Sequence, residues 1–246
     1  MGHILPFDKG VVNNYNMNMD NKKVAVFIDA ENISFEHAER VLKDAAGYGD
    51  VIIKRIFADW SSPQMQSWKD KIKLLSLKPE QQFSVIKGKN SSDMSLIVSA
   101  LIALFERNID VFCLVSSDSD YTRLVQELRE REKTVIGFGM KQTAPAFANS
   151  FSEFLYLDKD EKQSGGIDKE KLNALRDIIE NLLEQHGKAL YGTIGTEIKN
   201  KFADFVPKNY GYRSMSELLR ANLKHIGNYQ TTTESDGTTL SLIRVK

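Results

Sequence analysis

Two wholly apolar runs, Val24-Ala25-Val26-Phe27-Ile28 and Val111-Phe112-Cys113-Leu114-Val115, constrain this chain more than any other feature. Neither alternates with polar residues, so both faces of each strand must be covered, the condition met by parallel strands inside an α/β sheet. The first run ends on Asp29, with Asn32 three residues later; the second leads through Ser116 and Ser117 to Asp118 and Asp120. Open α/β sheets bind ligands beyond the carboxyl ends of their strands, where the strand order reverses. Two strand ends carrying carboxylates therefore predict a shared acidic cleft, to which Asp93 adds a further acid. Carboxylates gathered closely repel one another, and a divalent cation is the usual means of keeping them ionised together.

The pattern around these runs repeats strand and helix. Strands are predicted near 23–29, 51–58, 82–87, 110–116, 133–138 and 153–157, and helices at 33–46, 62–77, 93–107, 120–131 and 143–150. Asn90-Ser91-Ser92 is a start signal for the helix at 93–107. Its apolar residues cover more than one face, which predicts a nearly buried helix. The whole reads as a three-layer α/β domain with a mainly parallel sheet over 22–158, preceded by a mobile arm at 1–21. A charged stretch ending in Gly165-Gly166 reads as a linker over 159–166. Beyond it, Leu172, Leu175, Ile178, Ile179 and Leu182 mark an amphipathic helix. Helices near 193–202 and 214–222 follow, and Ser235-Asp236-Gly237 turns between strands at 228–232 and 239–245. Three helices and a terminal hairpin make 167–246 a smaller winged helix-turn-helix domain.

Bulk properties narrow the setting. Hydrophobic residues make up 41% and charged residues 27%, which suits a globular protein. No apolar stretch is long enough to cross a bilayer, and the first residues show no signal-peptide pattern, so a cytoplasmic location without a membrane partner is expected. The single cysteine, Cys113, falls inside a strand and reads as packing. The formal net charge of zero argues against a strongly electrostatic nucleic-acid binder, although a modestly basic surface around an acidic hole suits a phosphate backbone.

The acidic residues admit two readings. In one, Asp29, Asp93 and Asp118 hold Mg²⁺ or Mn²⁺, which activates water and stabilises charge on a scissile phosphate. Asp120 then binds a second ion or orients water, and Asn32 orients water or substrate without adding charge. In the other, Asp93 complements a helix dipole and Asp120 caps the helix starting at Tyr121. Asp29 resists that second reading, since a carboxylate closing an apolar strand needs a partner. Other chemistries fit less well. Asp29-Ala30-Glu31 is not the Asp-x-Asp of a haloacid-dehalogenase-type phosphatase, and Lys87-Gly88-Lys89 and Gly137-Phe138-Gly139 lack the spacing of nucleotide-binding loops. The four histidines are scattered, against a zinc site or a catalytic triad.

Three motifs, Val26-Phe27-Ile28-Asp29-Ala30-Glu31-Asn32, Gly88-Lys89-Asn90-Ser91-Ser92-Asp93 and Leu114-Val115-Ser116-Ser117-Asp118-Ser119-Asp120-Tyr121, resemble the NYN domain family, the LabA-like relatives of PIN ribonucleases. Thr134–Gly139 and Thr143–Ala148 add to the likeness, which covers about 22–158. The resemblance implies a PIN-like fold and metal-dependent RNA cleavage, with Asp29, Asp93 and Asp118 at the acidic positions and Asn32 and Asp120 as neighbouring motif members. One departure is Ser99, where many relatives carry an aspartate. The segment Leu190-Tyr191-Gly192-Thr193-Ile194-Gly195, with Phe205-Val206-Pro207 and Tyr210-Gly211-Tyr212, resembles a LOTUS (OST-HTH) domain. That likeness implies a winged-helix module for RNA or protein partners.

These readings predict a metal-dependent endoribonuclease with a C-terminal RNA- or partner-binding module tethered by its linker. Lys89 and Asn90 in the first domain, and Lys199, Lys201, Lys208, Arg213 and Lys224 in the second, are the candidate RNA contacts. The competing reading is a non-catalytic RNA or protein adaptor with a vestigial metal cleft, and a small-molecule phosphatase is a third class.

Overall fold

The computed structural model describes residues 22–81, 91–158 and 167–245; of 91–93 only the backbone is described. The predicted arm at 1–21, the linker at 159–166, and Lys89 and Asn90 lie outside the described residues. So does the strand predicted at 82–87.

The first domain runs β1 (Lys23–Asp29), α1 (Ala38–Ala45), β2 (Asp50–Ala58), α2 (Trp68–Leu75), β3 (Lys78–Gln81), α3 (Ser91–Glu106), β4 (Val111–Val115), α4 (Thr122–Glu130), β5 (Thr134–Gly139), α5 (Pro145–Ala148) and β6 (Glu153–Tyr156). All its strands pair in parallel in the order β3-β2-β1-β4-β5-β6. The order reverses between β1 and β4, the two strands whose ends carry Asp29 and the Ser116–Asp120 turn. Both faces of the sheet are covered. Val24, Val26, Ile28, Cys113 and Val115 pack toward Val41 of α1 and Trp68 of α2. Ala25, Phe27, Phe57, Phe112 and Leu114 pack toward α3, α4 and α5. This is the three-layer α/β architecture that the uninterrupted apolar runs require. Cys113 is fully buried, and burial pushes its thiol pKa upward, so it serves packing.

Two particulars differ from expectation. The short edge strand β3, Lys-Pro-Glu-Gln, carries no apolar alternation, so nothing in its sequence announces a strand; Pro and charge are tolerated there because it is an edge. Helix α3 is not nearly buried. Leu96, Ala100, Ala103 and Leu104 pack on the sheet, whereas Met94, Val98, Ile102 and Phe105 are exposed. Gly137 and Gly139, which fit no nucleotide loop, make room for aromatic packing instead: a Cβ at Gly137 would lie 2.3 Å from the Phe154 ring.

The second domain comprises α6 (Lys169–His186), β7 (Ala189–Leu190), α7 (Tyr191–Lys201), α8 (Met215–Ile226), β8 (Tyr229–Thr233) and β9 (Leu240–Arg244). The Asp168 carboxylate accepts from the Lys171 N–H to start α6, and Gly187 ends it with φ 72°. The Ser214 hydroxyl accepts from Glu217 N, while the Glu217 carboxylate accepts from Arg213 N, closing the start of α8. Leu175, Ile179, Ile194, Phe205, Leu219 and Leu242 form its core, and β9 pairs antiparallel with β7 and β8 as the wing.

This domain is docked on the open edge of the sheet. Phe154 N donates to Ala203 O at 2.9 Å. Asn209 acts as a clamp, its Nδ2 donating to Phe154 O (2.8 Å) and Asp204 O (2.9 Å) while its Oδ1 accepts from Tyr156 N (3.1 Å). Edge N–H and C=O groups of β6 thereby find partners in the second domain, as buried backbone groups must. Charge pairs frame the contact: Lys199 Nζ lies 2.7 Å from Glu153 Oε1, and Lys208 Nζ 3.0 Å from Asp44 Oδ1. Lys171 Nζ and the Tyr156 hydroxyl both donate to Asp204 Oδ2, at 2.7 and 3.2 Å.

Burial, together with the Asp204 charge, pushes the Tyr156 pKa up to about 12. The unfolded chain therefore loses that proton first as pH rises, and stability falls between the ordinary tyrosine value near 10 and about 12. We expect a thermal midpoint that drops between pH 9.5 and 11.5 by more in the parent than in Tyr156→Phe. Asn209→Ala should destabilise the chain by about 2 kcal/mol, since it strands edge groups of β6. Urea denaturation would measure that loss, and an unchanged midpoint would show that the clamp contributes nothing.

Candidate functional site

Asp29 closes β1 and is only 1% exposed. Its carboxylate is ringed by donors from three segments. Oδ1 accepts from the backbone N–H groups of Glu31 (3.2 Å) and Asn32 (3.3 Å). Oδ2 accepts from Asn32 Nδ2 (3.1 Å), the Ser116 hydroxyl (3.0 Å) and the Tyr121 hydroxyl (3.3 Å). A buried carboxylate is tolerated only when paired or hydrogen-bonded, and donors aimed at both oxygens favour the ionised form.

Ser116 links the two strand ends. It follows β4 directly, is fully buried, and its hydroxyl donates to Asp29 while accepting from Asp118 N at 3.1 Å. The chain then makes a tight turn in which the Asp118 carboxylate accepts from Asp120 N at 2.9 Å. Asp118, not Asp120, is therefore the capping residue of this turn, so the alternative reading of Asp120 as a cap does not hold. Asp118 is half-buried and Asp120 exposed, so the carboxylates descend from a sealed floor to an open rim. Asp93 lies in the first turn of α3, and its side chain is outside the described residues.

Tyr121 and Ser116 complete the site beyond the residues picked from sequence. Both sit in the Ser116–Tyr121 motif, and the signal for Ser116 was its place as the first polar residue after a buried strand. Two further acids line neighbouring loops: Glu31 Oε1 accepts from Asp59 N at 3.0 Å. Asp59 follows β2, and bonds from Ser61 and Gln81 hold its carboxyl below the usual carboxylate range. Those bonds make Asp59 a brace between the β2 and β3 ends.

The donor chemistry suits a hard divalent cation, because every acidic atom here is a carboxylate oxygen. Among the described residues, no three acidic or imidazole side chains are grouped closely enough to hold an ion. Asp29 and Asp118 are the described pair, and a third ligand would have to come from Asp93. Ser99 adds none. It is buried and accepts a hydrogen bond from Arg55 Nη1 at 2.5 Å, so a guanidinium stands against this position.

The candidate RNA contacts divide. Lys199 and Lys208 are taken up by Glu153 and Asp44 at the domain contact, a use that sequence could not show because the acids belong to the other domain. Lys201, Arg213 and Lys224 are exposed on the second domain.

Residues 23–158, more than half of the chain, match the NYN domain. The chain belongs to the NYN domain family. NYN domains are PIN-like and typically nucleases that use divalent metals. Residues 170–226 match the OST-HTH/LOTUS domain, an RNA-binding module. The uncharacterized protein MJ0482 of Methanocaldococcus jannaschii is 24% identical over 157 residues, 61% of this chain and 60% of that protein. The chain thus spans about three-fifths of that curated relative. The crystal structure of VPA0982, a protein of unknown function from Vibrio parahaemolyticus RIMD 2210633, superposes with a TM-score of 0.49 at 17% identity, over 58% of this chain and 98% of that one. No helix among the described residues of this NYN protein is long and apolar enough to cross a membrane.

Ser116→Ala and Tyr121→Phe each remove a donor from a buried carboxylate. We expect each to destabilise the chain by about 2 kcal/mol, and the double variant to depart from additivity because both donors serve one oxygen. Urea unfolding with an unchanged slope would measure this; losses below about 0.5 kcal/mol would mean that the backbone donors and Asn32 suffice.

Proposed function

We propose that this NYN protein is a metal-dependent endoribonuclease whose active site is the acidic cleft at the reversal point of the sheet. The observation that carries the reading is Asp29, buried at the strand end where the sheet order reverses and linked through Ser116 to the Asp118 turn. A purely structural acid has no need to stand at the one place where an α/β sheet opens to ligands. Asp29, Asp93 and Asp118 would hold Mg²⁺ or Mn²⁺. Such an ion supplies water activation and charge neutralisation at the scissile phosphate.

The remaining chemistry falls to the chain itself. Asn32, Ser116 and Tyr121 keep Asp29 ionised and fix its orientation, so that the charge is present before substrate arrives. Asp118 is held by the turn that it caps, and Asp120, exposed on the rim, would orient the attacking water. The OST-HTH/LOTUS domain would contribute phosphate contacts through Lys201, Arg213 and Lys224. Because it is docked on β6, it would extend the substrate path as a fixed surface. The domain division, 22–158 and 167–246 with a linker at 159–166, belongs to this proposal.

A second reading, an RNA-binding adaptor without turnover, draws on Arg55, whose positive charge faces Ser99 at the position where relatives add a carboxylate. The two readings part on cleavage. With Mn²⁺ and end-labelled single-stranded RNA, the parent should cut the substrate, and Asp29→Asn/Asp118→Asn should lose at least a hundredfold of that rate while still binding RNA. Equal cleavage by parent and double variant would remove the cleft from the reaction. No cleavage by the parent with Mn²⁺ or Mg²⁺ across several RNAs would favour the adaptor.

A further inference from the structure

Beside the acidic cleft a second concavity of about 300 Å³ opens between α3 and the edge strands. Its floor is Arg55 and Phe57 of β2 with Glu80 of β3, and its helix wall includes Met94, Val98 and Ser99. Phe57 pairs with Asp29 across β1 and β2, and Met94 follows Asp93 in the chain, so the concavity adjoins the proposed catalytic carboxylates.

Its composition is unusual for a solvated surface. Met94 and Val98 are 60% and 47% exposed, and α3 carries no charged residue from Met94 to Phe105. On the floor, a cation and an anion stand side by side: Arg55 Nε lies 3.9 Å from Glu80 Oε1, and Lys78 Nζ lies 2.9 Å from the same oxygen. Arg55 is anchored by its bond to Ser99. Among the described residues Glu80 Oε2 accepts no bond. The two side chains are 24% and 32% exposed, reachable by a ligand yet partly removed from water, where charge-assisted bonds gain strength.

We propose that this concavity is a nucleobase subsite selective for guanine, seating the base of a nucleotide next to the scissile phosphate. The inference rests on the ribonuclease reading of the adjoining cleft. A flat heterocycle can lie against the exposed apolar wall of Met94 and Val98, over a floor that the buried Phe57 closes beneath Arg55 and Glu80. An adjacent guanidinium and carboxylate call for a ligand edge with two acceptors beside two donors. Guanine presents O6 and N7 to a guanidinium, and N1–H and N2–H to a carboxylate. Adenine, cytosine and uracil each lack the paired donors that would meet both carboxylate oxygens, and an unmatched buried polar group weakens binding.

The test is calorimetric titration of the full chain, in EDTA, with GMP, AMP, CMP and UMP. GMP should bind about tenfold or more tightly than the other three. Glu80→Gln should remove that preference, and Val98→Arg, which fills the groove from an exposed helix position, should abolish binding of all four. Circular dichroism would check that both variants keep the fold. Equal binding of the four nucleotides, a GMP preference that survives Glu80→Gln, or unchanged binding by Val98→Arg would each overturn the subsite. None of these probes contains a phosphodiester. A parent that cuts RNA yet binds the four equally overturns the subsite alone, and GMP selectivity in a parent that cuts no RNA overturns the nuclease alone.

Discussion

One carboxylate, buried where a central strand of a parallel sheet ends, organises much of this molecule. Removing a charge from water is costly unless donors replace the water, and among the described residues Asp29 receives at least five of them, from its own loop, from Ser116 and from Tyr121. Satisfying it fixes the loop after β1, the first residue after β4 and the start of the turn leading into α4. The reversal in strand order is what allows this, because it places the ends of β1 and β4 side by side with no helix crossing between them. The same requirement sets the carboxylate's position in the fold, since its donors come from the turn after β1, the end of β4 and the turn leading into α4.

The layered fold and the NYN and OST-HTH/LOTUS relationships were legible because they are written in local pattern. Val24–Ile28 and Val111–Val115 admit only buried strands, and the helices between them have to cover the faces. Three features escaped for one shared reason: they depend on what lies across space. Lys78–Gln81 pairs with β2 although its side chains give no strand signal. Helix α3 looks buried by composition, yet Met94, Val98, Ile102 and Phe105 on its outer face stay exposed, Phe105 with the Arg131 guanidinium over its ring. Lys199 and Lys208 look like a solvated basic face until the acids of the other domain are placed beside them. The site was legible in part. Asp29, Asn32, Asp118 and Asp120 cluster in two motifs, whereas Tyr121 reads as an ordinary core aromatic until its hydroxyl is traced to Asp29.

The docking of the second domain follows from the sheet's own liability. A parallel sheet ends in strands whose outer N–H and C=O groups need partners, and an open edge invites pairing with another chain. The chain covers the β6 edge with the segment around Ala203–Asn209, using an asparagine that donates and accepts at once. The opposite edge, β3, is short and carries proline and charge, a different solution to the same problem. Tethering by a loose linker would give the second domain a range of positions; the β6 contacts hold it at one. Any RNA crossing both domains would then follow a fixed path, and its length and bend would be set by the protein.

Charge balance bears on how such a path would hold RNA. In a formally neutral chain the cations are matched by as many acids, so the net electrostatic pull on a phosphate backbone, the main source of sequence-independent affinity, is small. RNA binding by such a chain would lean on contacts that read the nucleotide itself, which phosphate contacts cannot do. The groove beside the acidic cleft supplies the two ingredients that such contacts need, an apolar wall for stacking and a polar floor with defined donors and acceptors. Low net charge and the proposed base-reading groove would thus answer one physical demand: a protein that does not hold every RNA strongly has to recognise its target by something other than phosphates.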